Sequence, residues 1–191
     1  MEFQCTEDHV LYLYPYYSLE NKEDEKSKEV YHVFKKGWNL DKYYKGIFED
    51  ISDALEQYLD QNDISRSNVV ITLMPSHLKG QYGSSLLKMA SDLSESFGCI
   101  NQSRLIKRVE DKQKSTEGGE RRVYAHLQTL NVESDEIQNK EATYVVLDDI
   151  TTSGSSLEAA KRSLMKAGIP DSKVIKIAIS KTMYDIDNYF V

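Results

Sequence analysis

Residues Tyr144 to Ser156 read Y-V-V-L-D-D-I-T-T-S-G-S-S. Four apolar residues, two of them β-branched, predict a strand buried on both faces. Two carboxylates, Asp148 and Asp149, close that strand. Small hydroxyl residues and one glycine then form a turn, and Ser155 to Ala167 has helical spacing, with Leu157, Ala160 and Leu164 inward and Gly168 and Pro170 ending it. The same alternation recurs on both sides. Val174 to Ile179 is a further strand, and Asn68 to Leu73 is another, running into Met74-Pro75-Ser76-His77-Leu78-Lys79-Gly80. Ser84 to Phe97 is a helix with Leu86, Leu87, Ala90, Leu93 and Phe97 on one face, stopped by Gly98. Strand, helix, strand, helix, strand predicts an α/β fold with a mostly parallel sheet flanked by helices, which binds ligands at the carboxyl ends of its strands.

The remaining segments are less regular. Leu11 to Tyr14 has strand character, with Pro15 limiting it to an edge or an end. Asn21 to Glu29 is almost wholly charged and reads as an exposed turn or loop, and Val30 to Phe34 as a partner strand. Leu40 to Gln61 is a helix on the spacing of Ile47, Ile51, Leu55 and Leu59. Residues 1–65 thus form a tyrosine-rich extension or hood with one helix, and 66–191 the core. Within that core, Ser103 to Val109 is expected as a strand. Asp111 to Arg121, with Gly118-Gly119, is expected as a mobile loop, and Arg122 to Leu127 as a short helix or strand.

Composition bounds the function. The chain has 191 residues, 40% hydrophobic and 29% charged, with a net charge of −7. No apolar run approaches the roughly 20 residues of a membrane helix, so no membrane partner is expected. The acidic start, MEFQCTEDHV, lacks the order of a secretory signal. Cys5 and Cys99 stand far apart without a CxxC, against a disulfide framework or a cysteine zinc site and in keeping with a reducing cytoplasm. An acidic chain is a poor generic polyanion binder, which leaves nucleic acid an open and disfavoured partner. Arg104 to Arg122 departs from this balance, with seven Lys/Arg against four acids.

The turn after Asp149 has the chemistry of an anion site. Backbone N–H groups, hydroxyls and a helix N-terminus converge on it, without the lysine of a P-loop. Two carboxylates beside such a site would repel an anion unless they accept hydrogen bonds from a sugar's hydroxyls or share a Mg²⁺ ion. A phosphorylated sugar satisfies both halves. The plainer alternative is an acidic turn in which Ser153 or Ser155 merely caps the helix.

V-V-L-D-D-I-T-T-S-G-S-S resembles the signature for 5-phosphoribosyl-1-pyrophosphate (PRPP) in type I phosphoribosyltransferases: four apolar residues, two acids, two further residues, then Thr-Thr/Ser-Gly-x-Thr/Ser. The resemblance implies the Rossmann-like fold of that family with a small N-terminal hood. It also implies that Asp148 and Asp149 face the ribose hydroxyls, with Mg²⁺ nearby, and that Thr152, Ser153, Gly154, Ser155 and Ser156 hold the 5′-phosphate. From Val69 to Thr182 the pattern is similar to the competence-protein-F-like (ComF-like) subgroup. There Pro75, Ser76, His77 and Lys79 would sit in the pyrophosphate loop, and Lys107, Arg108, Lys112 and Arg121 in a flexible lid that shields the reaction from water. Three departures accompany it. The subgroup's N-terminal zinc cysteines are missing, the segment after Pro75 is short and poor in arginine, and Thr152 stands where purine-salvage relatives carry an acid.

By resemblance, the reaction is displacement at the ribose anomeric carbon by a small nitrogenous acceptor, with release of pyrophosphate. A catalytically weak PRPP-binding regulatory module linked to nucleic-acid processing is a second reading, and a different sugar-phosphate enzyme on a doubly wound sheet is a third. The tyrosines Tyr12, Tyr14, Tyr16, Tyr17, Tyr43 and Tyr44 suit core packing, a stacking hood or, near Leu11 to Tyr17, a homodimer contact.

Overall fold

Valine and isoleucine fill the longest strands, and they alternate cleanly between two cores. The computed structural model describes residues 1–17, 24–37, 40–111 and 120–183, without the side chains of 40, 41 and 120–122. Its main sheet comprises β1 (Gln4–Cys5), β2 (Val10–Tyr16), β3 (Val69–Leu73), β4 (Ile100–Asn101), β7 (Thr143–Thr151) and β8 (Val174–Thr182), in the spatial order β1-β2-β8-β7-β3-β4. All neighbours pair in parallel except β1 and β2. A separate antiparallel ribbon joins β5 (Lys107–Arg108) to β6 (Leu130–Asn131). Beyond Leu11 and Tyr12, β2 has no β1 residue beside it, so Pro15 falls on an edge, where a missing amide hydrogen is tolerated.

Odd-numbered residues of the central strands (Ile71, Leu73, Val145, Leu147, Ile175, Ile177) face one core. The helices α2 (Leu40–Gln61) and α3 (Ser84–Phe97) cover that face. Even-numbered residues (Val70, Tyr144, Val146, Val174, Ala178) face the other, covered by α4 (Glu120–Leu127) and α5 (Ser155–Lys166). Side chains such as Ile47, Leu55, Met89 and Leu157 are at most 1% exposed, and each such burial contributes roughly 1.5–3 kcal/mol. From β3 the chain passes through α3 to β4 on one side. It then returns to β7 on the other side of β3 and continues through α5 to β8. The carboxyl ends of β3 and β7 therefore flank the point where the strand order reverses, the usual crevice of an open α/β sheet.

Four sequence expectations change. Asp24 caps α1 (Glu25–Val30) by accepting from the Ser27 N–H at 2.7 Å, and the chain continues as a π-helical turn, Tyr31–Lys36, ended by Gly37 at φ 65°. The charged stretch is thus helical from Glu25, and Val30–Phe34 is not a strand. Val30 and Val33, both 0% exposed, lie three residues apart on one helical face, so packing overrides their β-propensity. Of Ser103–Val109 only Lys107–Arg108 pairs as a strand, because Leu105 and Ile106, adjacent in sequence, both enter the second core. Arg122–Leu127 keeps to one of its two expected forms, the helix. Finally, β7 runs on through both acids to Thr151. Leu11–Tyr14, expected as a strand, lies within β2 of the main sheet, with Val10 opposite Lys176 and Tyr14 opposite Ser180. Among the described residues no helix is long and apolar enough to cross a membrane.

Candidate functional site

At the reversal point lies a cleft of about 380 Å³. The β3 end contributes Met74, Pro75, Ser76 and His77, and the β7 end Asp148, Asp149 and Ile150. Ser156 comes from α5, Phe34 and Lys35 from the π-helical turn, Arg108 from β5 and His126 from α4. Strand alternation sends the two acids to opposite faces of the sheet. Asp149 turns to the α2/α3 side and meets Lys35, whose Nζ lies 2.7 Å from its Oδ2. Asp148 turns to the α5 side, where its Oδ2 accepts from the Ser156 hydroxyl at 3.2 Å. The Asp149 N–H donates to Asp148 Oδ1 at 2.9 Å, which fixes one carboxylate against the other's backbone.

This crowding has an electrostatic cost. Burial, and next the charge of Asp149, push the Asp148 carboxyl up to about 7, against the pull of Lys35 and of the Asp149 amide. Burial would depress Lys35, but Asp149 and then Asp148 outweigh it, and its ammonium ends above the ordinary value. Arg108 is 2% exposed. Its guanidinium donates to the Ser76 carbonyl and the Thr129 hydroxyl. Burial draws it below the ordinary arginine value, and Asp148 opposes that.

The turn from β7 into α5 is held from within. Thr151, 2% exposed, accepts the Gly154 N–H at 3.0 Å. Gly154 sits at φ 72°, a conformation that favours glycine, and a Cβ there would come within 3.1 Å of the Val10 side chain, a tight fit. Gly154 occupies the N-cap position and no side chain caps α5. The capping alternative therefore does not account for the serines. Ser153 and Ser155 hydroxyls bond to each other at 2.9 Å, Thr152 bonds Thr182 at 3.2 Å, and Ser156 holds Asp148.

Of the five expected phosphate residues, Thr152 lines neither of two neighbouring clefts and the other four divide between them. Ser156 opens on the acid cleft. Ser153, Gly154 and Ser155 line a larger one, about 550 Å³, with Lys161, Arg162 and Lys176. Each of these three cations has a carboxylate partner. Lys176, 5% exposed, reaches Glu158 at 2.8 Å and the Asp8 carbonyl at 2.7 Å, Arg162 reaches Glu158 at 2.9 Å, and Lys161 reaches Asp171 at 2.9 Å.

Pro75, Ser76 and His77, expected in a pyrophosphate loop, line the acid cleft, with His77 exposed. Lys79 does not line it; its N–H donates to Asp111 at 2.7 Å. Arg108 reaches the cleft from the fixed strand β5 rather than from a lid, and Lys107 on the same strand pairs with Glu136 instead. Lys112 lies outside the described residues. Arg121 falls in α4 without a described side chain. Lys35, Phe34 and His126 are additions that the sequence reading missed. Lys35 had no signal in the sequence, since 114 positions separate it from Asp149. No protein-family model matches the chain, and no curated protein matches it.

Proposed function

We propose that this is a phosphoribosyltransferase-like protein that binds Mg-PRPP in the acid cleft and transfers the phosphoribosyl group to a nitrogenous acceptor. One observation carries the reading. An acid pair at the strand-reversal crevice leads directly into a helix whose first turn no side chain caps, with Ser156 tying the two together. The ribose hydroxyls would donate to Asp148 and Asp149, and the 5′-phosphate would reach the start of α5 at Ser156, the residue of the expected phosphate turn that lines the acid cleft. The pyrophosphate would lie along the Pro75–His77 turn beside Arg108. Positive charge develops on the ribose ring as the anomeric bond to pyrophosphate breaks, and the two carboxylates offset it electrostatically. Among the described residues no three His, Cys, Asp or Glu side chains converge for a metal. Two carboxylates suit Mg²⁺, which is held by one or two such groups plus ligand phosphates and would neutralise the leaving pyrophosphate.

Calorimetry with Mg-PRPP tests this. The wild type should bind, and Asp149→Asn should weaken binding roughly tenfold or more, about 1.4 kcal/mol. It should also reduce pyrophosphate release further still. No heat with the wild type refutes the reading. A PRPP-binding regulatory module is the second reading, favoured by Lys35, which neutralises the carboxylate that would offset ring charge. Tight binding with no pyrophosphate release across a panel of nitrogenous acceptors selects it.

A further inference from the structure

Lys35 and Arg108 reach the same cleft from opposite faces of the sheet. Lys35 stands on the face of α2 and α3, where Val33 of the same π-helical turn is buried in the core. Arg108 stands on the face of α4 and α5, beside Leu105 and Ile106 of the second core. Between them runs the turn that leaves β3. Leu73 pairs with Leu147 at the end of the ladder, and beyond it Pro75 and Asp149 line the same cleft. Arg108 grips this turn through the Ser76 carbonyl. Lys35, bonded to Asp149, is poised on its other flank.

The two cations differ in what holds them. Arg108 is buried and fixed by neutral acceptors, whereas the Lys35 side chain is 45% exposed and pairs with the Asp149 carboxylate. A half-exposed ammonium on a four-carbon stem can exchange one anionic partner for another at small cost. π-Helical turns are also frequent at functional sites.

We propose that Lys35 is a diphosphate-binding residue of this cleft, holding Asp149 until a ligand arrives and then passing to the ligand's diphosphate opposite Arg108. This rests on the reading of the cleft as a PRPP site, and it assigns the π-helical turn, rather than a lid, as the source of the second cation. The exchange leaves Asp149 free to accept from a ribose hydroxyl as the diphosphate binds.

The test is calorimetry on the full chain with three probes: Mg-PRPP, inorganic pyrophosphate with Mg²⁺, and ribose 5-phosphate. Lys35→Ala should weaken Mg-PRPP and pyrophosphate about tenfold and leave ribose 5-phosphate unchanged or slightly tighter, since Asp149 is released. Lys35→Arg should restore most of the pyrophosphate affinity. Lys35→Met, which keeps the stem, should behave as Lys35→Ala, and unchanged thermal midpoints would exclude misfolding as the cause. If the wild type binds pyrophosphate but not PRPP, the PRPP reading fails while a loss in Lys35→Ala still supports the lysine's role. Wild-type PRPP binding that Lys35→Ala leaves intact or strengthens overturns the inference and makes Lys35 a clamp alone. Equal losses for all three probes overturn it too.

Discussion

Two lysine–carboxylate pairs lie on the two sides of the β7–α5 junction, and their surroundings are opposite. Lys176 and Glu158 meet at 2.8 Å with the lysine 5% exposed, and each has a second partner, the Asp8 carbonyl and Arg162. Lys35 and Asp149 meet at 2.7 Å with the lysine 45% exposed, beside a second carboxylate that has no cation at ion-pair distance among the described residues. In the first cluster, burial raises Glu158 but Lys176 and Arg162 outweigh it, so the carboxyl falls below its ordinary value. In the second, burial and Asp149 lift Asp148 to about 7. The first pair is satisfied and structural. The second crowds two carboxylates into a cleft where one cation pairs with Asp149 and the other, Arg108, is bonded to neutral acceptors, and such perturbed groups cluster at functional sites.

Breaking the satisfied pair should cost the most stability. Lys176→Met leaves Glu158 with Arg162 alone and strands the Asp8 carbonyl, and we expect a loss of about 2–3 kcal/mol in urea unfolding at pH 7. The mirror change, Lys35→Met, should cost less than about 1 kcal/mol. Equal losses for the two variants would erase the contrast.

Relieving the unsatisfied pair should have a smaller effect of opposite sign. Asp148 has a raised folded-state value against about 3.9 when unfolded. The folded protein therefore holds a proton that the unfolded chain releases, and Asp148 subtracts stability progressively as pH rises from about 4 to about 7. Asp148→Asn should stabilise the protein by at least about 1 kcal/mol at pH 8 and hardly at all at pH 4. A constant difference between variant and wild type across that range would remove the electrostatic account of the cleft.

The contrast also marks what the sequence could reveal. The long helices Leu40–Gln61 and Ser84–Phe97 were legible to the residue, because their apolar positions repeat at helical spacing and Gly98 stops the second at φ 64°. The buried β3 and the turn after β7 were equally plain, since local residue types dictate them. Asp148 and Asp149 were legible as a pair, yet their separation onto two faces needed β7 to continue to Thr151. Local chemistry was silent where tertiary packing decides. Tyr31–Lys36 has strand-forming residues but turns helically, which buries Val33 in the core with Val30 of α1. That turn alone brings Lys35 to Asp149. Arg108 was visible as part of a basic island, but its burial under Ser76 and Thr129 depends on the β5–β6 ribbon.

The smallest expected effect lies on the acid side of the satisfied cluster. Glu158 titrates below its ordinary value of about 4.3, so its interactions with Lys176 and Arg162 contribute stability that is fully present above that value. The contribution is lost as pH falls through the lower folded-state value. Glu158 is 28% exposed, and solvent weakens both contacts, so Glu158→Gln should cost under about 1 kcal/mol at pH 7. The gap to the wild type should close as pH drops toward 3, as the wild-type carboxyl gains the proton that makes it resemble the amide. Asp148 imposes the reverse slope over a higher pH range, so the two carboxyls are separable in one titration of unfolding midpoints. A Glu158→Gln difference that persists undiminished at pH 3 would mean that the cluster is held by packing of the lysine and arginine stems rather than by charge.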